Sequence, residues 1–474
     1  MSNSLKPQIP GKDAADRAGS VAGFALRLFG GACLLFVMYM GITLNAGSFG
    51  TSKLFQLALV GGVGAISIGV SFFGKEIRIG ACIWLVAIAA FLFAADYYFS
   101  QPKFANPIVQ IQKQAGVDAD SRGPLQVLLD EREAHPTTSL NMYNRQFLDR
   151  PLQVGDTGVV PLRGVANARV IACNEPGHYI FYETDPQGFF NPPETWNGHD
   201  NIDLMLVGDS FTVGVCHDPG ERLPDLFRQR FPSMVNLAQS DIGPLIEMAL
   251  IREYVPRFQP DTVLWIFYEN DFSNLTMEMK SDILQRYLAD PAYKQNTLEN
   301  AAAIDAALRA HQDRQVQQLL DLKKMPLRHL RQKIGALFLN NAGTESIQSA
   351  DGTEVRAEEL LASILRIAAR DIADQGGQMV FVYLQGFEPL EDPNINAVRE
   401  AHRQTALAAA RAAGLPVIDT TPAIQAHFKD PAEAHMFARF GHYTREAYDV
   451  VFKTIISELD ALAAQGAIHP VGRK

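Results

Sequence analysis

Ser210 stands in Val207-Gly208-Asp209-Ser210-Phe211-Thr212-Val213-Gly214, directly after an apolar run from Ile202 to Val207. A hydroxyl at the C-terminal end of a buried strand lies where α/β sheets carry out chemistry. A serine Oγ is a weak nucleophile at neutral pH. It needs a base to take its proton and donors to hold the oxyanion it creates. Gly208 and Asp209 belong to the same nucleophile loop. Taken alone, the tripeptide reads equally well as a serine N-cap opening a helix.

Three further segments offer what Ser210 requires. Asn236-Leu237-Ala238-Gln239-Ser240-Asp241-Ile242-Gly243 follows a second short apolar run, and Gly243 would let backbone N–H groups approach the serine closely. Tyr268-Glu269-Asn270-Asp271 follows a third run, and the Asn270 amide can donate to an oxyanion without carrying charge. Gly441-His442-Tyr443 precedes the last helical stretch. There the helix dipole would disfavour an imidazolium and keep His442 available as a base. Each segment also has an ordinary reading, as a turn glycine, an Asn-Asp turn or a surface histidine. Their common position at strand ends is what joins them.

The elements that must position these residues alternate. Strands are expected at Ile202–Val207, Met234–Leu237, Thr262–Tyr268, Gln378–Leu384 and Pro416–Asp419. Helices are expected near Glu221–Phe231, Leu245–Phe258, Ala357–Gln375, Ala397–Ala413 and Thr444–Ala464. This alternation predicts right-handed crossovers and a mostly parallel sheet covered on both faces, spanning 201–465. A polar, helical insertion interrupts it at about 271–350. Within the insertion, Leu327–Leu339 carries Arg328, Arg331 and Lys333 opposite Leu330, Ile334 and Leu337. Such a stripe is expected to pack as a cap over the site, the alternative being an anionic membrane surface. Residues 101–200 form a linker and a small β-rich extension, with strands near Arg169–Cys173 and His178–Tyr182, and suggest no chemistry of their own.

The first hundred residues are of another kind. Apolar stretches at about 24–44, 54–73 and 79–99 each approach the ~20 residues that cross a bilayer. Lys6, Lys12 and Arg17 precede the first, Lys75 and Arg78 separate the second and third, and only Lys53 separates the first two. The positive-inside rule then predicts a cytoplasmic N-terminus and, after three spans, a periplasmic or extracytoplasmic remainder in a bacterial inner membrane. Cys33 and Cys82 fall in spans and read as small apolar residues. Cys173 and Cys216 fall in the exported part and are expected to pair, the alternative being two free buried thiols. The formal net charge of -10 argues against nucleic acid as a partner. No metal-ligand spacing is apparent, and no cofactor is expected.

The order of Gly208-Asp209-Ser210, Asn270-Asp271 and His442 resembles the SGNH hydrolases, also called GDSL esterases. The segment Asp185-Pro186-Gln187-Gly188-Phe189-Phe190-Asn191 is similar to that of membrane-linked members from bacterial surface-polysaccharide loci. The resemblance implies an SGNH hydrolase fold, a flavodoxin-like parallel sheet with helices on both faces. It implies Ser210 as nucleophile and His442 as base. The oxyanion would be held by the Ser210 N–H, an N–H of the 241–243 turn and Asn270. The substrate class it implies is an acylated polysaccharide or other acyl ester, hydrolysed or transferred, with the lipid bilayer as a second partner. A membrane acyltransferase or polysaccharide export complex is a further partner class left open. The alternatives are a lipid esterase and a degenerate, glycan-binding SGNH domain.

Three positions depart from the family pattern. Asp241 replaces the oxyanion glycine, and its carboxylate would oppose an oxyanion unless it points away. Tyr268 replaces the glycine of Gly-x-Asn-Asp and would narrow the pocket. Arg439 stands where the family's Asp-x-x-His places the acid, and an arginine cannot orient a histidine as that acid does. The orienting group would then be Asp430, Glu433, another carboxylate or a backbone carbonyl, unless the site works as a Ser–His dyad.

Overall fold

The computed structural model describes residues 12–43, 51–101, 107–197, 201–324, 327–331, 333, 356–389, 394–436 and 439–472. The chain divides into two units, Met1–Gln101 with Met325–Leu339, and Pro102–Lys324 with Asn340–Lys474.

The first unit is helical, with helices at Lys12–Thr43, Thr51–Val70 and Lys75–Phe99. Two helices, not the three expected, are long and apolar enough among the described residues to cross a membrane, Ala14–Tyr39 and Lys75–Phe99. Between them the apolar stretch is shorter, Val60–Val70. The backbone leaves the helix after Val70, where the Ser71 hydroxyl caps Ile68 O at 2.6 Å, so Phe72 and Phe73 fall in a turn. Leu44, the end of the first expected span, lies outside the described residues. Lys75–Phe99 buries none of its residues, and Trp84 and Phe91 are 71% and 70% exposed. Lys12–Thr43 and Thr51–Val70 approach through Gly30 and Gly64, where a Cβ on either would collide with the other helix. Cys33 and Cys82 are free thiols.

The basic amphipathic segment departs from expectation. Its described residues, 327–331 and 333, belong to this helical unit and not to the unit that holds the site. The Leu330 N–H donates to the Asp96 carboxylate at 2.9 Å, at the end of the third helix. Residues 334–339 lie outside the described residues.

The second unit begins with helices at Pro107–Gln114 and Pro124–Ala134, then a small β region. Strands β1 (Ser139–Leu140), β4 (Arg169–Cys173) and β5 (Ile180–Glu183) form one sheet in the order β1-β4-β5. Strands β2 (Leu152–Val154) and β3 (Thr157–Val159) form a hairpin. The main sheet contains β6 (Leu204–Gly208), β7 (Met234–Asn236), β8 (Thr262–Tyr268), β9 (Gln378–Leu384) and β10 (Val417–Asp419). Its order is β10-β9-β8-β6-β7 and every pairing is parallel.

The continuous apolar runs follow from burial on both faces. Along β8, Val263, Trp265 and Phe267 enter one core with the helices Pro244–Phe258 and Ala357–Ala373. Leu264, Ile266 and Tyr268 enter the other, with Leu223–Arg230 and Arg445–Ala464. This is the two-residue period of a strand read out as two cores. The chain crosses from β6 outward to β7 and then back past β6 to β8. The C-terminal end of β6 therefore lies at the switch point, where a crevice opens.

The extension and the sheet are tied by the Asp185–Asn191 segment. Its Asp185 carboxylate accepts the N–H groups of Gln187 and Phe189 and the Asn191 amide. Asn191 in turn exchanges hydrogen bonds with the Asn236 backbone at 2.9 and 2.8 Å. The insertion divides its loyalties. Helices Asp271–Glu278 and Asp282–Ala289 pack on the sheet unit's core through Leu275, Leu284 and Tyr287. The long helix Ala301–Lys324 joins the extension's core through Ile304 and Leu308.

Candidate active site

The turn that carries Ser210 is built by its neighbours. A Cβ on Gly208 would collide with Thr212 Oγ1 and the Ile266 carbonyl, so the strand can turn here only through glycine. Asp209, not Ser210, caps the short helix Ser210–Val213, its carboxylate accepting the Phe211 N–H at 2.9 Å. The Ser210 hydroxyl is thereby left free of capping duty. As the first helical residue, Ser210 has an N–H with no intrahelical acceptor. Burial pushes the Asp209 carboxyl up to about 6.

His442 Nε2 lies 2.9 Å from Ser210 Oγ. Its orienting partner is none of the residues singled out near it in sequence. It is Glu175, in the turn between β4 and β5. Glu175 Oε1 lies 2.9 Å from His442 Nδ1, and Glu175 Oε2 accepts the His442 backbone N–H at 2.8 Å. One carboxylate therefore fixes both the ring and the backbone of the histidine. With Nδ1–H donating to Glu175, Nε2 is the nitrogen free to accept the serine proton. Burial alone would raise the Glu175 carboxyl, but the charge and hydrogen bonds of His442 hold it below its usual range. Burial likewise works against the charged imidazole, but Glu175 outweighs it and raises His442. This reverses the expectation that the helix dipole sets His442: the final helix starts only at Arg445, and the nearby carboxylate dominates.

Arg439 faces away, ion-paired with Asp430, whose carboxylate also caps Ala432. Glu433 is exposed. The loop that delivers His442 is held instead by His435. Its Nδ1 lies 2.7 Å from the Gly441 carbonyl, and its Nε2 accepts the Phe387 N–H at 2.9 Å.

On the oxyanion side, Ser210, Ser240, Asp241, Asn270 and His442 line one cavity. Gly243 is not available as a donor, because its N–H is committed to the Glu278 carboxylate at 2.6 Å. Its lack of a side chain serves packing, since a Cβ there would meet Asn274 Cβ at 2.6 Å. Asp241 has a φ of 64°, the left-handed region usually given to glycine or asparagine, so the backbone adopts a glycine-like turn with an aspartate in it. Its carboxylate is drawn off by Arg145 of the extension, 2.6 Å away. Burial raises the Asp241 carboxyl and Arg145 opposes that. Asp271 accepts the Tyr268 N–H at 2.9 Å and so shapes the Asn270 turn. Tyr268 does not narrow the pocket: its ring is buried, stacked on Phe211, with its hydroxyl toward Glu388.

Cys173 and Cys216 are joined by a disulfide between β4 and the loop after the nucleophile helix. Among the described residues, one group with metal-ligating spacing occurs, Cys173, Glu175 and Cys216. Both sulfurs are in the disulfide and Glu175 is held by His442, so the group is already occupied by protein.

The cavity measures about 610 Å³, and most of its wall comes from the extension. Asn141, Tyr143, Gln146, Tyr179 and Gln315 give it neutral amides and phenols beside the Arg145–Asp241 pair.

No family model matches the chain, and no curated protein matches it. Among solved structures it is similar to a lipase/acylhydrolase from Enterococcus faecalis, 14% identical with a TM-score of 0.31, covering 57% of this chain and 98% of that one. It is also similar to a catalytic mutant of an acetylxylan esterase from Geobacillus stearothermophilus, 14% identical with a TM-score of 0.30, covering 55% of this chain and 95% of that one. TesA is 13% identical with a TM-score of 0.31, covering 55% of this chain and 98% of that one.

Proposed function

We propose that the chain is an SGNH-type serine esterase or O-acyltransferase that acts on acyl esters of carbohydrate while anchored to a bilayer. The observation that carries this reading is the relay from Ser210 Oγ through the His442 imidazole to the Glu175 carboxylate, with both contacts at 2.9 Å. In this mechanism His442 Nε2 takes the serine proton as Oγ attacks the acyl carbonyl, and Glu175 stabilises the imidazolium that forms. The tetrahedral oxyanion is held by the Ser210 and Asp241 N–H groups and the Asn270 amide. The proton then passes from Nε2 to the departing alcohol. The acyl-serine is released to water or to a second hydroxyl, which gives hydrolysis or transfer respectively. The all-parallel main sheet, with Ser210 at the end of a central strand, supports the same reading.

The cavity wall offers a sugar Tyr143, Tyr179 and neutral amides, beside an apolar strip of Leu140, Ile171 and Val215 that can take an acyl group. Phenol rings offer faces to pyranose C–H groups, and neutral amides pair with hydroxyls, whereas a lipid esterase needs a continuous apolar groove. The degenerate, binding-only reading loses its motive. Asp430 occupies Arg439, Arg145 occupies the Asp241 carboxylate, and Glu175 stands in for the missing acid. The two apolar helices support anchoring, and the disulfide supports an extracytoplasmic catalytic unit in the periplasm.

Full-length protein in detergent micelles should hydrolyse p-nitrophenyl acetate and acetylated oligosaccharides, and should prefer both over p-nitrophenyl palmitate. Activity confined to the palmitoyl ester would replace the carbohydrate reading with a lipid one. No activity on any of the three would remove the esterase reading.

A further inference from the structure

The Cys173–Cys216 disulfide lies against the residues proposed to react. Cys216 Sγ is 3.6 Å from His442 Nδ1, and the Glu175 N–H donates to Cys173 Sγ at 3.1 Å. Cys216 follows the nucleophile helix directly and has a φ of 75°, so the chain bends sharply there to bring its sulfur to β4. The crosslink thus runs from the end of the Ser210 helix to the strand whose next turn carries Glu175.

The other supports of that turn come from elsewhere. Gln112, fully buried, donates its amide to the carbonyls of Asn174 and Glu175, the second at 2.8 Å. The Asn174 amide donates to the Asp120 carbonyl at 2.9 Å, and the Asp120 N–H donates to Gly177 O at 2.7 Å. All of these anchors belong to the stretch ahead of β1. They fix the turn within the extension but not against the sheet. At the turn itself the second connection is made by the disulfide and the Glu175–His442 contact; further along β5 the Tyr182 hydroxyl bonds the Gly214 and His217 carbonyls at 3.1 and 2.9 Å.

We infer that Cys173 and Cys216 are positioning residues of the active site: their disulfide registers Glu175 on His442, so the relay is assembled only in the oxidised protein. This rests on the esterase reading above. It also gives the enzyme a compartment check. A chain still in a reducing compartment carries Ser210 and His442 without a registered acid, and it gains full activity once an external disulfide oxidant has exchanged with the two thiols, taking up their two electrons and two protons as its own pair of thiols. A disulfide that only staples the fold would sit among scaffold residues, not in contact with the base and with the backbone of its acid.

The test compares full-length protein in micelles in four forms. These are oxidised wild type, wild type reduced by dithiothreitol, the Cys173→Ser/Cys216→Ser double variant and Glu175→Gln. Dithiothreitol supplies two electrons and two protons and closes to its own cyclic disulfide. His442 is faced by Glu175, Asp209 and Glu388 and, among histidines, by His217 and His435. Of these groups, Glu175 and His217 lie next to the crosslink, and His217 is held separately, its Nε2 2.8 Å from the Tyr443 carbonyl.

The reduced and double-variant forms should lose about 10²- to 10⁴-fold in kcat, as Glu175→Gln does, with KM changed far less. The acidic limb of the pH profile should move to lower pH, as it does in Glu175→Gln, because the support that raises His442 is lost. Adding Glu175→Gln to the double variant should cost little more, since both changes remove one interaction. Unchanged kcat and limb, or less active protein with an unmoved limb, would overturn the inference. Should the double variant not fold, the reversible reduction of folded wild type decides. Histidine-labelled protein followed by NMR should show the His442 ring titrating at lower pH after reduction and returning on reoxidation. That readout needs no activity, so an inactive wild type would defeat the esterase reading while the ring titration still tests the crosslink.

Discussion

The main sheet and the extension contribute to one site in opposite ways. The sheet unit brings Ser210, Asp241 and Asn270 to its site from the loops after parallel strands, and His442 from the loop before the last helix. The extension, which shows no chemistry of its own as sequence, brings Glu175, Arg145 and most of the cavity wall. In the proposed relay both extension residues correct a weakness in the sheet's set: Glu175 would supply the acid that Arg439 cannot, and Arg145 pairs with the charge that Asp241 introduces. A parallel sheet offers a reactive crevice at its switch point by topology alone. What completes the crevice can come from any segment that packs over it.

The largest effect should come from the sheet's own nucleophile. Ser210→Ala should lower kcat by about 10⁵- to 10⁶-fold in acetyl-ester hydrolysis, as loss of a relay nucleophile does. Next comes the extension's acid. Glu175→Gln should cost about 10²- to 10⁴-fold in kcat, while Asp430→Asn and Glu433→Gln change it by less than about 2-fold. Equal losses in Asp430→Asn and Glu175→Gln would return the acid to the final loop and dissolve the contrast between the two regions.

A smaller effect is expected at the ion pair that bridges the regions. Arg145→Ala should lower kcat by about 10-fold, because the freed Asp241 carboxylate then faces the developing oxyanion. The loss should grow with pH as that carboxyl ionises, and Asp241→Asn in the same background should recover most of it. Failure of the second substitution to rescue would mean that Arg145 acts on substrate directly.

The smallest effect is on stability and belongs to the sheet alone. Burial raises the Asp209 carboxyl from its ordinary 3.8 to about 6, so the folded state favours the protonated form. The stability this contributes is fully present below pH 3.8 and is lost as pH rises through about 6. Asp209→Asn keeps an acceptor for the Phe211 N–H and removes the buried charge. Its Tm relative to wild type should therefore be more favourable at pH 8 than at pH 4, by thermal melts in matched buffers. The reverse order would show that Asp209 is held ionised by its neighbours.

What could be read from the sequence follows the same division. The runs that became β6 to β10 are buried on both faces, so their apolar character is continuous and visible. Ser210 and Asn270 each follow such a run closely, and His442 stands just ahead of the last helix. Glu175 has no such marker. It sits in a turn far from His442 in the chain, and its position depends on a hairpin folding over the sheet. One signal did point there: Cys173 lies two residues before Glu175 and Cys216 six after Ser210, so pairing those cysteines places the acid beside the nucleophile. Gly243 misled for a related reason. Its small size is needed for contact with Asn274 on the insertion, a neighbour the local sequence does not reveal. The second apolar stretch misled by composition, since Phe72 and Phe73 continue its hydropathy after the helix has ended.

The central claim is that Glu175, reaching in from the extension, is the acid of a serine relay. The most direct test is the pH dependence of kcat/KM for hydrolysis of an acetylated oligosaccharide by wild type and Glu175→Gln. The account predicts an acidic limb governed by His442 in wild type, and in the variant a limb moved to lower pH with activity down by about 10²-fold or more. A variant with wild-type activity and an unmoved limb would contradict it.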